Sequence, residues 1–221
     1  MTPRNVIRTL NRHLAPATPV ATDVGQHQMW AAQNLVFRSP RRFITSGGLG
    51  TMGFGLGAAI GAAYGSGERS VLITGDGSFG MCLNELATAT TYNVPVVILI
   101  MNNGVLGMVR QWQTLFFDGN YSHTKLREGG TFLPDFVQLS QALGCEAIRV
   151  TCEEEVAPAI ERARAINDRP VVIDFIVGED AQVWPMVGGG ASNEEIQYVQ
   201  GLRPLFAEES SKDLDATGKE S

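Results

Sequence analysis

Carboxylate and amide side chains follow two strongly apolar stretches of the sequence, and their types are suited to holding a divalent cation. The loop GDGSFG occupies Gly75–Gly80, and NNG occupies Asn102–Gly104 after the next apolar stretch. Mg²⁺ prefers hard oxygen ligands such as a carboxylate, an amide oxygen and a backbone carbonyl. Asp76, Asn103 and the carbonyl of Val105 could supply these ligands, and Asn103 stands 27 positions after Asp76.

The first loop also has its glycines at the spacing GxGxxG, the fingerprint of a dinucleotide-binding turn. Two details argue against a nicotinamide cofactor. The next predicted strand ends in the amides Asn102 and Asn103, where such a site needs an acid for the ribose hydroxyls. Asp76 would also repel a pyrophosphate, unless a divalent cation bridges the two. With the N–H groups of Gly77 and Ser78 at the start of the next helix, the pattern favours a diphosphate held through Mg²⁺.

Glycine and polar residues follow four consecutive predicted strands. The segments are Gly25–His27, Gly47–Gly53, Gly75–Gly80 and Asn102–Gly104. In an open parallel sheet, ligands bind beyond the carboxyl ends of the strands. Ordinary turn chemistry explains any one of these segments, but the four together favour a ligand site at one edge of a sheet.

Strand-like and helix-like stretches alternate along the chain. The predicted strands are Pro19–Val24, Arg42–Ser46, Ser70–Thr74, Val94–Met101, Ala147–Val150 and Val171–Val177. The predicted helices are Gln26–Phe37, Gly53–Tyr64, Met81–Tyr92, Gly107–Phe116, Asp135–Leu143, Glu153–Ile166 and Asn193–Phe206. Continuous β-branched runs such as VPVVILI are typical of strands buried on both faces of a parallel sheet. The fold class predicted is therefore α/β, with three layers.

The pairing of GDGS with NN resembles the thiamine-diphosphate motif, and longer stretches extend that resemblance. They are similar to the large subunit of acetolactate synthase (acetohydroxyacid synthase), and they read DVGQHQMWAAQ, PRRFITSGGLGTMGFGLGAAIGAA, NNGVLGMVRQWQ, YSHT, PDFVQLSQALG, VVIDFIV and VWPMV. The resemblance covers roughly residues 1–190, the thiamine-diphosphate-binding domain of that family. It implies a mainly parallel sheet of six strands between helices.

The resemblance implies thiamine diphosphate and Mg²⁺ as cofactors, with Asp76, Asn103 and the Val105 carbonyl as the metal ligands. It also implies a set of residues around the diphosphate, namely Gln26, His27, Gly75, Gly77, Ser78, Gly104 and Leu106. Read without the family, Asp76 could simply cap the next helix, and His27 could be a polar residue at a helix start.

The resemblance also implies roles at the other end of the cofactor and in substrate binding. Gly50 and Met52 are expected to contact the aminopyrimidine, with Met52 as the apolar wedge that bends the cofactor. Met108 and Trp112 lie one helical turn apart and are expected to line the pocket for the second 2-oxoacid, where Trp112 is associated with the choice of 2-oxobutyrate. By spacing alone, both could be ordinary core residues. The family normally has proline where this chain has Gly57.

Composition excludes several classes of protein. The chain has 221 residues, 44% of them hydrophobic, and a net charge of −6. That charge gives no drive toward nucleic acid or anionic lipid, and no apolar run approaches the roughly 18–20 residues of a membrane span. Three cysteines without a CxxC pair indicate a reducing compartment, so a cytoplasmic location is expected. We expect one cofactor-binding domain over residues 1–207 and a disordered acidic tail, Glu208–Ser221.

In the family, the glutamate that activates the cofactor lies on a separate pyrimidine-binding domain, and FAD is bound mostly by a middle domain. Neither domain is recognisable in these 221 residues, so no catalytic residue is assigned and FAD is not expected in this chain alone. The expected partners are a pyrimidine-binding domain or subunit, further copies of the chain and small 2-oxoacids. The alternatives are a subunit of a split 2-oxoacid decarboxylase, a non-catalytic cofactor-binding module and, more distantly, a nucleotide-binding domain.

Overall fold

The computed structural model describes residues 1–126 and 134–197. The chain divides into two compact units, Met1–Gln182 and Val183–Ser221. The predicted domain boundary at residue 207 and the predicted tail Glu208–Ser221 both lie outside the described residues, so both stay predictions.

Six parallel strands form the sheet of the first unit. They are β1 (Val20–Thr22), β2 (Phe43–Ile44), β3 (Ser70–Gly75), β4 (Val96–Asn102), β5 (Glu146–Val150) and β6 (Val171–Ile176). Their order across the sheet is β2-β1-β3-β4-β6-β5, and every pairing between them is parallel. Every residue of β3 and β4 is buried, as expected for strands covered on both faces. The predicted six-stranded parallel sheet is confirmed.

Helices cover both faces of this sheet. They are α1 (Pro3–His13), α2 (Gln26–Asn34), α3 (Gly55–Ser66), α4 (Asp76–Phe79), α5 (Glu85–Thr91), α6 (Gly107–Phe116), α7 (Phe136–Ala142) and α8 (Val156–Ala165), with a 3₁₀ turn at Glu153–Glu155. Buried residues of α3, α5 and α7 share one core with Leu72, Ile98 and Val172 of the sheet. On the other face, Leu10 of α1 and Ile160 of α8 border the same cavity as strand residues of β3 and β4. The predicted three-layer α/β/α architecture is confirmed.

The apolar core holds these layers together. The rings of Phe79 and Phe136 meet edge to face, with centroids 5.5 Å apart, and both side chains are fully buried. Ile98 at the centre of β4 is completely inaccessible to solvent. Burial of a side chain of this size stabilises a fold by about 1.5–3 kcal/mol, and the sheet therefore provides a rigid base for its loops.

Two predicted helices differ from the structure. The predicted helix Met81–Tyr92 begins only at Glu85, because Asp76–Phe79 forms a separate short helix and the residues between them form turns. Gly80 and Asn84 are weak helix formers, which accounts for the break. The predicted helix from Asn193 is wrong in its described part, where Ile196–Gln197 forms a strand; the rest of it lies outside the described residues.

The described part of the second unit contains a short antiparallel pair of strands. These are β7 (Met186–Val187) and β8 (Ile196–Gln197), with Met186 opposite Gln197 and Val187 opposite Ile196. Across both units, none of the helices in residues 1–126 and 134–197 has the length and apolar character needed to cross a membrane.

Candidate functional site

The strand order creates a crevice at the carboxyl ends of the strands. The chain runs from β1 outward to β2 and then returns to place β3 on the opposite side of β1, and such a switch point is where open α/β sheets bind ligands. A cleft with about 490 Å³ of empty space opens there. It is bordered by the loops after β1, β3 and β4, and its lining residues include Gln26, His27, Met52, Gly75, Asp76, Gly77, Ser78, Asn103, Val105, Leu106 and Met108.

Asp76 stands at the junction of β3 and α4, where its carboxylate is almost fully buried. Its Oδ1 accepts a hydrogen bond from the N–H of Gly77 at 3.1 Å. Its Oδ2 accepts one from the N–H of Gly104 at 2.7 Å. The carboxylate is therefore oriented by backbone groups from the loops after both β3 and β4.

The loop after β4 turns sharply beside this carboxylate. Gly104 has a φ of +73°, a conformation that costs glycine little, and Asn103 Oδ1 accepts a hydrogen bond from the N–H of Val105 at 3.1 Å. An antiparallel bridge joins Val105 to Lys125, and the N–H of Leu106 donates to the carbonyl of Thr124 at 2.8 Å. The contacts with Thr124 and Lys125 thus stabilise the loop. The three predicted metal ligands follow two adjacent strands of the sheet.

Gln26 begins α2 and is buried in the wall of the cleft. Its Nε2 donates to Gln111 Oε1 at 2.9 Å and to the carbonyl of Ala181 at 2.8 Å. Because both partners are acceptors, the amide orientation is fixed, and its buried Oε1 is left with no hydrogen-bond partner in the structure. The side chain therefore offers an acceptor, and any donation from Gln26 to a phosphate must come from its backbone N–H.

His27 lies in the same wall, with its ring between two glycines. A Cβ added at Gly25 would lie 2.9 Å from the ring, and one at Gly75 would also lie 2.9 Å from it. Burial lowers the pKa of His27 to about 3, opposed in part by a hydrogen bond with the backbone of Asp23. The imidazole is consequently neutral near pH 7, and its Nε2 is buried without a hydrogen-bond partner.

Two further glycines let neighbouring side chains pack directly against the backbone of the cleft. A Cβ at Gly77 would lie 2.8 Å from Leu106 Cδ2. A Cβ at Gly107 would overlap Gln26 Oε1 and lie 2.8 Å from Asn103 Nδ2. Larger residues at these two positions would displace Leu106, Gln26 or Asn103 from their places beside the backbone.

The loop after β2 carries the predicted pyrimidine contacts. Met52 lines the cleft, and its Cε would lie 3.8 Å from a Cβ on Gly77. Gly50, with a φ of +64°, is exposed and does not line the cleft as the described residues shape it. The structure therefore places Met52, but not Gly50, in the lining of the cleft.

Met108 and Trp112 lie on α6, as predicted, but in different surroundings. Met108 lines both the cleft and a larger groove of about 1160 Å³, whereas Trp112 lines only the groove. Trp112 is 38% exposed and packs edge to face against Phe116, with ring centroids 5.3 Å apart. An exposed fraction of this size argues against the interpretation of Trp112 as a plain core residue.

The sequence of this region matches a known family. Residues 23–175 match the profile described as "Thiamine pyrophosphate enzyme, C-terminal TPP binding domain". The chain belongs to this family. Thiamine pyrophosphate is the same compound as thiamine diphosphate, so the cofactor inferred from the glycine loops agrees with the family.

Acetolactate synthases are among the curated relatives of this thiamine pyrophosphate enzyme domain. The chain is 59% identical to the acetolactate synthase large subunit of Corynebacterium glutamicum over 207 residues, 93% of this chain and 33% of the relative. It is 53% identical to the acetolactate synthase of Mycobacterium leprae over 95% of this chain and 34% of that protein. It is 44% identical to the mitochondrial acetolactate synthase catalytic subunit of Saccharomyces cerevisiae, over 87% of this chain and 28% of that protein. The chain thus spans about a third of the length of the relatives it matches.

Most of the residues singled out in the sequence lie together in this domain. Gly104 does not line the cleft, but it donates to Asp76, while Gly50 and Trp112 lie outside the lining. The individual roles of all these residues remain predictions.

Sequence reasoning missed several buried polar side chains in and around the strand ends. Asp23 is fully buried directly after β1, and Gln111 of α6 accepts from Gln26. Asp174 of β6 is completely buried and accepts from Asn102 Nδ2 at 2.9 Å, while Arg149 donates to its other oxygen at 3.2 Å. An acid within or just after an apolar strand was the available signal for Asp23 and Asp174.

Proposed function

We propose that this chain is the diphosphate- and Mg²⁺-binding part of an acetolactate-synthase-type enzyme. That enzyme decarboxylates pyruvate and transfers the remaining two-carbon unit to a second 2-oxoacid. The observation that carries the proposal is the placement of Asp76 and Asn103 at adjacent strand ends in one cleft, with the Asp76 carboxylate bonded to the loop that holds Asn103. The names of the similar proteins support the choice of reaction.

The residues at the metal end fit a magnesium ion. Asp76 offers a carboxylate, Asn103 an amide oxygen and Val105 a backbone carbonyl, which are the hard ligands that Mg²⁺ selects. The lack of a Cβ at Gly107 lets the side chains of Gln26 and Asn103 pack beside the backbone there. Asp76, Asn103 and the Val105 carbonyl would hold the ion, which would neutralise the negative charge of the cofactor phosphates.

The diphosphate would lie against the N-termini of two helices. Gln26 and His27 are the first residues of α2, where backbone N–H groups have no partner within the helix. Gly77 and Ser78 lie in α4, and Ser78 Oγ donates to the carbonyl of Val24 at 2.9 Å. Helix N-termini favour anions, and the neutral His27 ring adds no competing charge.

Thiamine diphosphate, when bound, supplies the electron sink that the loss of CO₂ from a 2-oxoacid requires. The chain's own contribution is to bind and orient. Met52 would support the cofactor from the side of the β2 loop, and Met108 would stand between the cleft and the Trp112 groove. The second 2-oxoacid is proposed to occupy that groove.

A glutamate on a partner pyrimidine-binding domain would activate the cofactor. The chain would also assemble with further copies of itself. FAD is not assigned to this chain. The three cysteines are free thiols, in keeping with the proposed cytoplasmic location.

A chimeric enzyme tests this function. The chain would replace the matching third of the Corynebacterium glutamicum acetolactate synthase large subunit, and products from pyruvate would be analysed. Acetolactate is the expected product, and the same chimera with Asp76→Asn should form none. Acetaldehyde as the main product would contradict the synthase proposal and favour a decarboxylase.

A further inference from the structure

Asp23 is a buried acid that the proposed function leaves unused. It follows β1 directly, is completely inaccessible to solvent, and does not line the cleft. Its Oδ1 accepts from the N–H of Gly53 at 2.8 Å and of Val24 at 3.1 Å, and its Oδ2 accepts from the Thr74 hydroxyl at 3.3 Å. Gly55 adds a further backbone hydrogen bond.

Burial of this carboxyl is costly because it removes the charged form from water. Burial raises the pKa of Asp23, and the hydrogen bonds from the backbone and Thr74 oppose that rise. Within the described residues no Lys or Arg side chain forms an ion pair with it. A buried acid without a cationic partner is costly unless its hydrogen bonds are kept, so the N–H groups it binds are firmly held.

The N–H groups of Gly53 and Gly55 belong to the segment that leads from the β2 loop into α3. A Cβ on Gly55 would lie 2.6 Å from Leu72 Cδ1 and 2.9 Å from the backbone nitrogen of Asp23. Gly53 has a φ of +82°, and a Cβ there would lie 3.2 Å from Met81 Cβ. The segment is therefore held against the end of β1 at two points, on either side of Phe54.

Met52 stands directly before the first of these points. We infer that Asp23 is a positioning residue that holds Met52 in the cofactor cleft by binding the N–H of Gly53. Asp23 acts on the thiamine end of the ligand, opposite the end that Asp76 serves. This inference rests on the proposed function, because it assigns to Met52 a contact with the thiamine part of the cofactor.

A double-mutant cycle tests the link between the two residues. Calorimetry would measure the affinity of the full chain for Mg²⁺–thiamine diphosphate and for Mg²⁺–pyrophosphate in Asp23→Ala, Asp23→Asn, Met52→Ala and the Asp23→Ala/Met52→Ala pair. Pyrophosphate probes only the diphosphate end. Asp23→Asn is the matched control, since its amide oxygen can still accept from Gly53 while the hydroxyl of Thr74 can accept from its nitrogen.

Asp23→Ala and Met52→Ala should each weaken thiamine diphosphate binding by about tenfold and leave pyrophosphate binding within about twofold. In the Met52→Ala background, Asp23→Ala should add nothing, because residues that act through one another are not additive. Asp23→Asn should bind both ligands like the unsubstituted chain. Without ligand, hydrogen exchange at the Gly53 amide should be faster in Asp23→Ala but not in Met52→Ala.

The experiment separates failure of the positioning role of Asp23 from failure of the proposed function. Equal losses for both ligands in Asp23→Ala, or additive losses in the double variant, would overturn the positioning role while leaving the proposed function intact. An unsubstituted chain that binds neither ligand would overturn the proposed function and this inference with it.

Discussion

Asp76 Oδ2 accepts a hydrogen bond of 2.7 Å from the backbone N–H of Gly104. These two residues stand at the ends of neighbouring strands, where Gly75 of β3 is paired with Met101 of β4. The bond joins the two loops that provide the proposed metal ligands. Because the carboxylate is held by backbone rather than by a flexible side chain, its direction is set before any ligand binds.

Adding one methyl group at Gly107 should damage the site. In Gly107→Ala, the new Cβ would overlap Gln26 Oε1 and press on Asn103 Nδ2, so both side chains must move. We expect thiamine diphosphate affinity to fall by about tenfold or more, measured by calorimetry with Mg²⁺.

Gly57→Ala is the matched control. A Cβ at Gly57 meets no atom within 4 Å, and alanine is the better helix former in α3 by about 1 kcal/mol. This variant should bind the cofactor normally and unfold at a slightly higher denaturant concentration. Normal cofactor affinity in Gly107→Ala would contradict this prediction. It would mean that Gln26 and Asn103 can move away from the new methyl group without weakening cofactor binding.

His27 should make the fold sensitive to acid. Its pKa is about 3 in the folded chain because of burial, against 6.5 for the free imidazole, so the unfolded chain takes up the proton first as the pH falls. Its contribution to stability is therefore complete above pH 6.5 and is lost as the pH falls toward 3. We expect a loss of about 2–3 kcal/mol between pH 6.5 and pH 4.5, measured by urea unfolding.

His27→Gln should flatten this pH dependence. His123→Gln, at an exposed position, should leave it unchanged. An identical pH dependence in His27→Gln and the unsubstituted chain would show that another group causes the acid sensitivity.

Trp112→Leu should change the choice of the second 2-oxoacid in an enzyme that contains this domain. Trp112 forms a wall of the groove next to the cleft and does not line the cleft itself. Pyruvate decarboxylation should therefore continue, while the preference between pyruvate and 2-oxobutyrate shifts by about 1–3 kcal/mol at most. Competition between the two acceptors measures this shift.

Tyr64→Leu serves as the control for this experiment, since Tyr64 is 61% exposed and lines neither cavity. It should leave the ratio of products unchanged. If Trp112→Leu also leaves the ratio unchanged, then the groove does not bind the acceptor.

The chain alone should self-associate and form no measurable acetolactate. Several large apolar side chains are exposed, among them Leu49, Phe54, Met81, Trp112, Phe116 and Phe117, and exposed apolar patches tend to find partners. The activating glutamate is proposed to lie on a partner domain, and the loss of such an acid–base group alone lowers the rate by about 10²- to 10⁴-fold. Light scattering tests the self-association, and a colorimetric acetoin assay tests whether acetolactate is formed. Full synthase activity from the purified chain would contradict the placement of the activating glutamate on another domain.

The sheet and the cleft were predictable because they depend on local patterns. The apolar runs at β3 and β4 identify buried parallel strands, and the residues after them, including Asp76 and Asn103, necessarily meet at one edge of the sheet. The break between α4 and α5 was not predictable from periodicity. The apolar pattern continues through Met81 and Leu83, while the backbone hydrogen bonds change to turns in which each N–H binds the carbonyl three residues earlier, as from Met81 to Ser78.

The supporting side chains were harder to foresee. Gln26 was singled out for the diphosphate, but its Nε2 is held by Gln111 and Ala181, far along the chain. Asp23 looks like an ordinary acid after a strand, and its role depends on Gly53, thirty residues later. Such pairings follow from the three-dimensional packing and leave no periodic signal in the sequence.

Titration of thiamine diphosphate into the chain, with saturating Mg²⁺ and again with EDTA, tests the central claim most directly. We predict saturable binding with Mg²⁺ that is lost in EDTA. Asp76→Asn keeps an oxygen for the N–H of Gly104 but loses the charge and the acceptor for the N–H of Gly77, and it should weaken binding by more than about 100-fold. Asp168→Asn, which removes an exposed charge paired with Arg169, should bind normally. Affinity that is unchanged by EDTA and by Asp76→Asn would contradict the account.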